Sequence, residues 1–390
     1  MQKQRPLSFN RLLLNPLAVF FADTRAIGIT LVINTALSLW LSNGTAFAAA
    51  YTSFWQQPFT NGFITQLQLP HSPLALINDF LMAVFFLLAG MEIKREFVSG
   101  ELSTKQQATL PIVGAIGGMI VPAILFALFN KGTHYMSGWA ISSATDIAFT
   151  LGIASLLGNK VPVSIKIFIT ALAIIDDLGA IIIIALFYGG AIHALYLLGV
   201  VIACILLWLL QKRYKTVTVL HWAIGLALWY CMHRAGIHAT VAGVVFAFLI
   251  PTNELTKWEL RLHKPVYFFI VPLFALANTA IIIPEDFGVA VSTTLSLGIM
   301  AGLVIGKPLG ISAACYALIK TGKAALPANT NWKIFISTNF LAGIGFTMSI
   351  FIATLAFSSS IIQDQAKIAV LCASLIATIL GSLFLASNKP

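Results

Sequence analysis

Two adjacent carboxylates, Asp176 and Asp177, lie in the middle of a long apolar stretch that covers residues 161–188. Lys166, near the start of this stretch, precedes Asp176 by ten residues, which corresponds to ~15 Å along a helix. That distance is about half the thickness of a ~30 Å hydrocarbon core. Two acids at this depth are energetically costly, and such residues usually belong to an ion or proton pathway.

Close carboxylates in a poorly solvated place favour the protonated form, because desolvation and mutual repulsion oppose ionisation of both. A bound cation favours the ionised form instead. The same oxygens would therefore hold either a proton or a small hard cation, and binding of one would displace the other. Oxygen ligands suit hard cations, and no thiolate or clustered imidazole in the sequence indicates a transition metal. This competition is the minimal chemistry of cation/proton exchange.

Asp146 and Lys307 are the other strongly ionisable residues that we expect deep in the membrane. Neighbouring helix positions point ~100° apart, so Asp176 and Asp177 cannot both face one partner. One acid can face a cation on another helix while the other faces an aqueous cavity. Lys307, in a Gly-Lys-Pro sequence, is the obvious cation. A purely structural ion pair between Asp176 and Lys307 is the alternative, but it does not explain the second acid.

The composition excludes a soluble domain. The 390 residues are 59% hydrophobic and 9% charged, with a mean hydropathy of +0.92, whereas typical soluble domains are about a quarter charged. The net charge of +10 does not indicate a nucleic-acid partner, because the basic residues fall in short loops between apolar segments. We expect no resident cofactor. The sequence predicts a single transmembrane domain over residues 1–390.

The fold class that we predict is an all-α polytopic membrane protein. Twelve apolar segments, separated mostly by glycines and charged clusters, are candidate spanning helices. They cover residues 14–42, 73–95, 108–129, 136–157, 162–188, 193–211, 216–233, 238–250, 265–283, 289–319, 334–357 and 366–386.

The distribution of lysine and arginine predicts the orientation. With twelve spans and a cytoplasmic N-terminus, 18 of the 23 basic residues fall on the cytoplasmic side, 3 on the other side and 2 within helices. Cytoplasmic loops of membrane proteins carry such an excess. Both termini are therefore predicted to be cytoplasmic.

Residues 51–70, between the first two segments, are amphipathic and contain Asn61 followed by Gly62. Asn-Gly between apolar residues is typical of a β-hairpin, and an irregular outer loop is the alternative. The unpaired edges of an exposed hairpin could pair with a second copy of the chain.

Two of the twelve segments are interrupted in the middle. Interrupted segments at corresponding positions of two halves are the best sequence indication of a transporter binding site. Residues 108–188 and 289–386 would form two inverted repeats around the site, and 193–283 would supply scaffold and interface helices. The interrupting residues of the fourth segment are polar, and those of the eleventh are glycine-rich: Ser142, Ser143, Thr145, Asp146 and Thr150, then Gly343 and Gly345.

Broken helices place partial charges at the middle of the membrane, positive at helix N-termini and negative at C-termini. Asp146 could neutralise the facing N-termini, and Lys307 could neutralise the facing C-termini. Close helix packing is the alternative role for Gly343 and Gly345.

A second cluster of charge is predicted at the cytoplasmic end of the second segment and before the ninth. Solvated loop charge is the simpler interpretation, and a pH-responsive network is the sharper one. Asp79 and His238, near helix ends, are two further candidates, or simply local partners. The cluster itself consists of Glu92, Lys94, Arg95, Glu96, Glu101, Glu259, Arg261, His263 and Lys264.

Five motifs resemble the bacterial NhaA-type sodium/proton antiporters. They extend over nearly the whole chain and together are highly specific. They are residues 85–96 (FFLLAGMEIKRE), 144–149 (ATDIAF), 173–179 (AIIDDLG), 306–310 (GKPLG) and 343–349 (GIGFTMS).

The resemblance implies twelve helices, with broken helices 4 and 11 crossing at mid-membrane, and a homodimer joined partly by the outer hairpin. It implies electrogenic exchange of cytoplasmic Na⁺ or Li⁺ for external H⁺ in the bacterial inner membrane, activated at alkaline pH. By the family pattern Asp177 binds the ion with Asp176 beside it, Lys307 pairs with Asp176, and Thr145 and Asp146 lie at the helix crossing. The residues that match the family's pH-responsive cluster are Glu92, Arg95, Glu96, Glu259 and His263.

Two other classes of protein fit parts of the pattern. An intramembrane lysine with aspartate counter-ions also suits a retinal-binding photoprotein, but twelve spans and the Gly-Lys-Pro context argue against it. A sodium-coupled solute symporter is the third class. Few convergent polar side chains occur beyond the ion site, which disfavours an organic substrate.

Overall fold

A computed structural model describes residues 24–44, 46–59 and 62–387. These ranges contain helices and no strand, which confirms the predicted all-α class. Two separate 3-10 helices are His134–Ser143 and Gly158–Lys160. The other helices, in chain order, are α1 Thr24–Asn43, α2 Ala48–Gln56, α3 Gly62–Leu67, α4 Pro73–Ser99, α5 Lys105–Asn130, α6 Ile147–Leu156, α7 Val163–Phe187, α8 Ala194–Arg213, α9 Val219–Ala235, α10 Val241–Phe248, α11 Thr252–Asn278, α12 Phe287–Ser292, α13 Thr294–Lys320, α14 Trp332–Leu341, α15 Phe346–Ala356 and α16 Ser360–Ser387.

Eight of the described helices are long and apolar enough to cross a membrane, and two bent pairs raise the number to ten. The predicted spans 216–233 and 238–250 correspond to α9, with 17 residues, and α10, with 8 residues. Both are shorter than the ~20 residues that a full crossing requires. The count of twelve spans therefore stays a prediction. The beginning of the first predicted span, residues 14–23, lies outside the described ranges.

The predicted ninth span, 265–283, has the wrong boundaries. The helix there is α11, which begins 13 residues earlier at Thr252 and ends at Asn278. Pro265, at which the predicted span begins, lies inside α11, and a π-helical turn, Val266–Ile270, follows it directly. Such a turn accommodates the missing N–H of proline. Glu259 and His263 consequently lie on a helix and not in a loop.

The predicted hairpin over residues 51–70 is also wrong in its secondary structure. The described parts of this segment form the short helices α2 and α3, although Asn61 itself lies outside the described residues. An alanine-rich start favours helix, and a lone two-stranded hairpin is only marginally stable. Trp55 is buried against Tyr51, with ring centroids 5.9 Å apart, which anchors α2.

Two bent helix pairs lie where the sequence predicted interruptions. His134–Ser143 and α6 meet at a bend of 43°, and α14 and α15 meet at 48°. The breaks leave residues 144–146 and 344–345 outside the helices, and the two breaks are in contact through a hydrogen bond of 2.7 Å from the N–H of Asp146 to the carbonyl of Ile344. The relation of the two halves as repeats stays a prediction, but the two crossing breaks that it requires are present.

The helices α5 and α13 cross at a contact between two glycines. A Cβ atom built on Gly117 would lie 2.3 Å from the carbonyl oxygen of Gly310, and one built on Gly310 would lie 2.1 Å from that of Gly117. The two backbones are therefore in direct contact. Because Gly310 is one helical turn beyond Lys307, this crossing determines how deeply the lysine reaches between the helices.

We expect Gly310→Ala to destabilise the protein, because the two helices would have to separate to admit the new methyl group. Overpacking of this kind lowers the free energy of unfolding by about 1–3 kcal/mol. Thermal unfolding in detergent measures the effect as a lower melting temperature. Gly288→Ala is the matched control, since a Cβ atom there meets nothing within 4 Å. Equal melting temperatures for the two variants would contradict the close contact.

Candidate ion-binding site

One carboxylate caps two half-helices at the crossing. Asp146 is the N-cap of α6, where its Oδ1 accepts a hydrogen bond of 2.9 Å from the N–H of Phe149. Its Oδ2 accepts bonds from the N–H and the hydroxyl of Thr347, in the first turn of α15, at 3.1 and 2.6 Å. Both half-helices present partial positive charge here. Asp146 therefore neutralises two helix N-termini at once, in the place that the sequence predicted.

Hydroxyl groups of each broken helix bind carbonyl groups of the other. The Thr150 hydroxyl donates to the carbonyl of Leu341 at 3.0 Å, and the Ser349 hydroxyl donates to the carbonyl of Ile141 at 2.6 Å. Helix ends leave backbone groups without partners, and unpaired groups at membrane depth are very costly. The exchange of hydroxyl donors therefore satisfies the two interrupted helices within the protein.

A buried ion pair joins α7 to α13. Lys307 Nζ lies 2.8 Å from Asp176 Oδ2, and neither side chain is exposed. Lys307 also donates to the Ser143 carbonyl, at the C-terminal end of the 3-10 half-helix, and the Thr145 hydroxyl lies 2.8 Å from the same Asp176 oxygen. Buried pairs persist only with such additional partners. The structure thus contains the Asp176–Lys307 contact that the sequence predicted.

Asp177 lies in different surroundings, although it is the next residue. It lines a small cavity of about 10 Å³ together with Asp146, Glu92, Tyr267 and Thr347, which is about the room that one water molecule needs. Its Oδ1 is buried without a hydrogen-bond partner among the protein atoms. A buried carboxylate oxygen in this condition is suited to take up a proton or a cation.

The other acid also keeps one unused oxygen, because Asp176 Oδ1 is likewise buried without a partner. Within the described ranges, three or more His, Cys, Asp or Glu side chains do not converge as a resident metal site requires. A small cation at Asp177 would therefore be bound by the carboxylate together with hydroxyl, carbonyl or water oxygens.

A wider cavity of about 230 Å³ lies beside the small one. Its charged lining residues come from α4 and α11, and they include Glu92, Arg95, Glu259 and His263. Arg95 Nε lies 2.9 Å from Glu259 Oε2. The structure therefore brings most of the predicted pH-responsive cluster together, beside the candidate ion site.

Two residues of the predicted cluster, Glu96 and Lys94, make specific contacts outside the wider cavity. Glu96 binds Arg95 Nη1 at 2.7 Å through Oε1 and accepts the Glu101 N–H at 2.8 Å through Oε2. Lys94 is buried and donates to the carbonyls of Phe248 and Ile250, so it caps the C-terminal end of α10. These specific contacts exclude the simpler interpretation of solvated loop charge for both residues.

The structure does not bring the other two pH-response candidates to the cluster. The His238 ring contacts the carbonyl of Tyr188, just beyond the end of α7. Asp79 lies in a π-helical turn of α4, where its backbone carbonyl accepts the indole N–H of Trp229 at 2.9 Å. Neither residue lines the two cavities.

The two glycines of the second interruption permit close approach. A Cβ atom on Gly343 would lie 2.4 Å from the carbonyl oxygen of Leu303, and one on Gly345 would lie 2.1 Å from Ser349 Oγ. The two glycines that interrupt the helix therefore also permit its close packing.

The sequence analysis assigns no role to Tyr267, which lines both cavities. The available signal was a lone hydroxyl-bearing aromatic one helical turn beyond His263.

Comparisons with known proteins find one family over nearly the whole chain. The profile of the family described as Na⁺/H⁺ antiporter 1 matches residues 18–385. The Na⁺/H⁺ antiporter NhaA of Cytophaga hutchinsonii is 44% identical over 372 residues, which cover 94% of this chain and 94% of the relative. NhaA 2 of Flavobacterium johnsoniae is 45% identical over 95% of this chain and 92% of its own length. NhaA 1 of Klebsiella pneumoniae is 44% identical over 94% and 95%.

Proposed function

This chain belongs to the Na⁺/H⁺ antiporter 1 family of secondary transporters, which are not enzymes, and we propose that it exchanges cytoplasmic Na⁺ or Li⁺ for external H⁺. The observation that carries the proposal is the contrast between two adjacent acids. Asp176 is held by Lys307, whereas Asp177 keeps an unpartnered buried oxygen in a cavity of the size of one water. One acid is therefore available for the exchanged ions.

In the mechanism that we propose, Na⁺ and H⁺ compete for Asp177. A cation that reaches Asp177 favours its ionised form and displaces the proton, and a returning proton displaces the cation. Asp146 does not bind the ion alone, because both its oxygens already accept hydrogen bonds from the half-helices. It keeps the helix ends fixed while Asp177 changes partners.

Alternating access would expose Asp177 to one side of the membrane at a time. The wider cavity beside Glu92 and Arg95 is the proposed route from the cytoplasm, since the cytoplasmic side carries most of the basic residues. The broken helices meet through side-chain hydrogen bonds and one backbone bond, from the N–H of Asp146 to the carbonyl of Ile344, and the proposed change of access is a rearrangement around this crossing. Exchange is proposed to be electrogenic and to serve sodium and pH homeostasis.

The protein is proposed to lie in the bacterial inner membrane as a homodimer with cytoplasmic termini. The outer helices α2 and α3 are the proposed dimer contact. Phe47 and Phe54 of this region are 74% and 53% exposed, which supports burial against a second copy. Deletion of this region should convert the dimer to a monomer in detergent.

Transport in vesicles tests the proposed function. With purified protein in vesicles and an imposed proton gradient, added Na⁺ or Li⁺ should dissipate the gradient, and K⁺ should not. The rate should rise between pH 6 and pH 9. A gradient that survives addition of Na⁺ at every pH would exclude the exchange, and dependence on an added organic solute would indicate a symporter instead.

The pH profile is expected to depend on the ion pair between Arg95 and Glu259. Glu259→Gln removes one of the two direct ion pairs of Arg95 and leaves the pair with Glu96, so the charge around the cytoplasmic cavity becomes more positive. We expect the half-maximal pH of Na⁺ exchange to move by about one unit, which corresponds to ~1.4 kcal/mol. Glu285→Gln, on an exposed loop, is the matched control. An unchanged pH profile of Na⁺ exchange in Glu259→Gln would contradict a role of this cluster in pH control.

A further inference from the structure

Tyr267 lies at the narrow place between the two cavities. It lines both the wider cytoplasmic cavity of about 230 Å³ and the small cavity of about 10 Å³ that contains Asp177. Three other residues line both cavities, Glu92, Ile147 and Ala148. We call the region that these four residues line the neck. An ion that passes from the cytoplasmic cavity to Asp177 must cross the neck, so the chemistry and the width of the neck control access to Asp177.

Among the residues of the neck, Tyr267 supplies the only ring and the only hydroxyl, and Glu92 supplies the only carboxylate. The Tyr267 side chain is only 8% exposed, so its ring fills space that would otherwise join the cavities. Tyr267 shares the wider cavity with Glu259, the small cavity with Asp146 and Asp177, and both cavities with Glu92. A neutral oxygen on a path lined by acids is a suitable ligand for a hard cation in passage.

Local structure directs Tyr267 into this position. The residue belongs to the π-helical turn Val266–Ile270, which follows Pro265 in α11. A π turn inserts one residue and rotates the side chains that follow, and such turns are frequent at functional sites. The imidazole ring of His263 packs on the phenol at a centroid distance of 4.7 Å. The pH-responsive cluster therefore contacts the residue that occupies the neck.

We propose that Tyr267 is the inner gate of the ion site, a specificity-determining residue that the family assignment does not supply. Its ring closes the neck between the cytoplasmic cavity and Asp177, and its hydroxyl offers an oxygen ligand to the cation that enters. Displacement of the ring opens the neck. The role of the hydroxyl rests on the proposed Na⁺ exchange, whereas the closure by the ring does not.

Thiol labelling tests the closure without any transport. Ala89 lines the small cavity but not the wide one, so Ala89→Cys, in a chain whose four native cysteines are replaced by alanine, reports access from the cytoplasm. A small hydrophilic thiol reagent is added on the cytoplasmic side. We expect Tyr267→Ala to accelerate labelling about tenfold, equivalent to ~1.4 kcal/mol, and Tyr267→Phe to leave it unchanged.

Phe269→Ala is the matched control for this experiment. It truncates a ring of the same π turn, but Phe269 is 62% exposed and lines neither cavity. Its labelling rate should equal that of the parent. Unchanged labelling in Tyr267→Ala would overturn the gate, and equal acceleration in Phe269→Ala would show that disturbance of the turn, and not the missing gate, opens the site.

Transport kinetics test the hydroxyl. Tyr267→Phe keeps the ring, so we expect the Na⁺ concentration for half-maximal exchange to rise several-fold while the maximal rate stays near that of the parent. A merely structural role would lower the maximal rate instead. An unchanged half-maximal concentration would exclude the hydroxyl as an ion contact. If the parent exchanges no Na⁺ at all, the proposed function fails, and the labelling experiment still decides on the gate.

Discussion

Asp177→Asn is expected to reduce Na⁺-dependent proton movement in vesicles to the background of protein-free vesicles. The amide keeps the shape of the side chain, but it carries no negative charge for a cation and no titratable proton at this position. Loss of one charge-assisted contact alone costs ~1.5–3 kcal/mol, about 10- to 150-fold in cation affinity. Loss of the competing proton removes the exchange itself. Normal transport by Asp177→Asn would refute the assignment of the ion site.

Although we expect Asp177→Asn to abolish transport, we do not expect it to destabilise the protein. Asp177 Oδ1 has no hydrogen-bond partner, so replacement of the carboxylate removes a buried charge without orphaning a protein donor. The melting temperature of Asp177→Asn should therefore equal or exceed that of the parent. Asp286→Asn, at an exposed position, controls for removal of any carboxylate. Together these results separate loss of the site from loss of the fold.

Much of the candidate ion site could be predicted because charge in an apolar segment has few tolerable surroundings. Asp176 and Lys307 are 131 positions apart, yet each required an opposite charge, and they lie in contact. Asp146 was predictable in the same way, since interrupted helices need an anion at their N-termini. The high free-energy cost of an unpaired charge in an apolar segment therefore predicts these contacts, whereas the periodicity of apolar residues does not.

The helix boundaries and the neck could not be predicted, for two physical reasons. Hydropathy indicates where a helix is buried and not where it begins, so the polar first half of α11, from Thr252, was interpreted as a loop. Pro265 is compatible with a helix interior only through the π turn after it, which depends on packing. The direction of the Tyr267 side chain depends on that turn, so the regular helical period of the sequence does not predict it.

Lys307→Ala is expected to be among the most destabilising single substitutions in this protein. It leaves the carboxylate of Asp176 buried without its cation, and it leaves the carbonyl of Ser143 without the Lys307 donor. Breaking a buried pair by removal of one partner typically costs about 3–5 kcal/mol. Thermal unfolding in detergent should show a large fall in melting temperature, and the pH profile of any remaining exchange should move.

The double variant Lys307→Ala with Asp176→Asn decides whether the ion pair itself is responsible. Asparagine removes the orphaned charge while its side-chain oxygen still accepts from Thr145, so the double variant should be more stable than Lys307→Ala alone. Such a rescue is a coupling energy between two residues in contact. If the two effects simply add, the lysine stabilises the fold through its packing and its bond to Ser143, and the pair with Asp176 contributes nothing. Rescue of stability without rescue of exchange would instead show that the ion pair stabilises the crossing of the helices, while transport still requires the charge of the lysine.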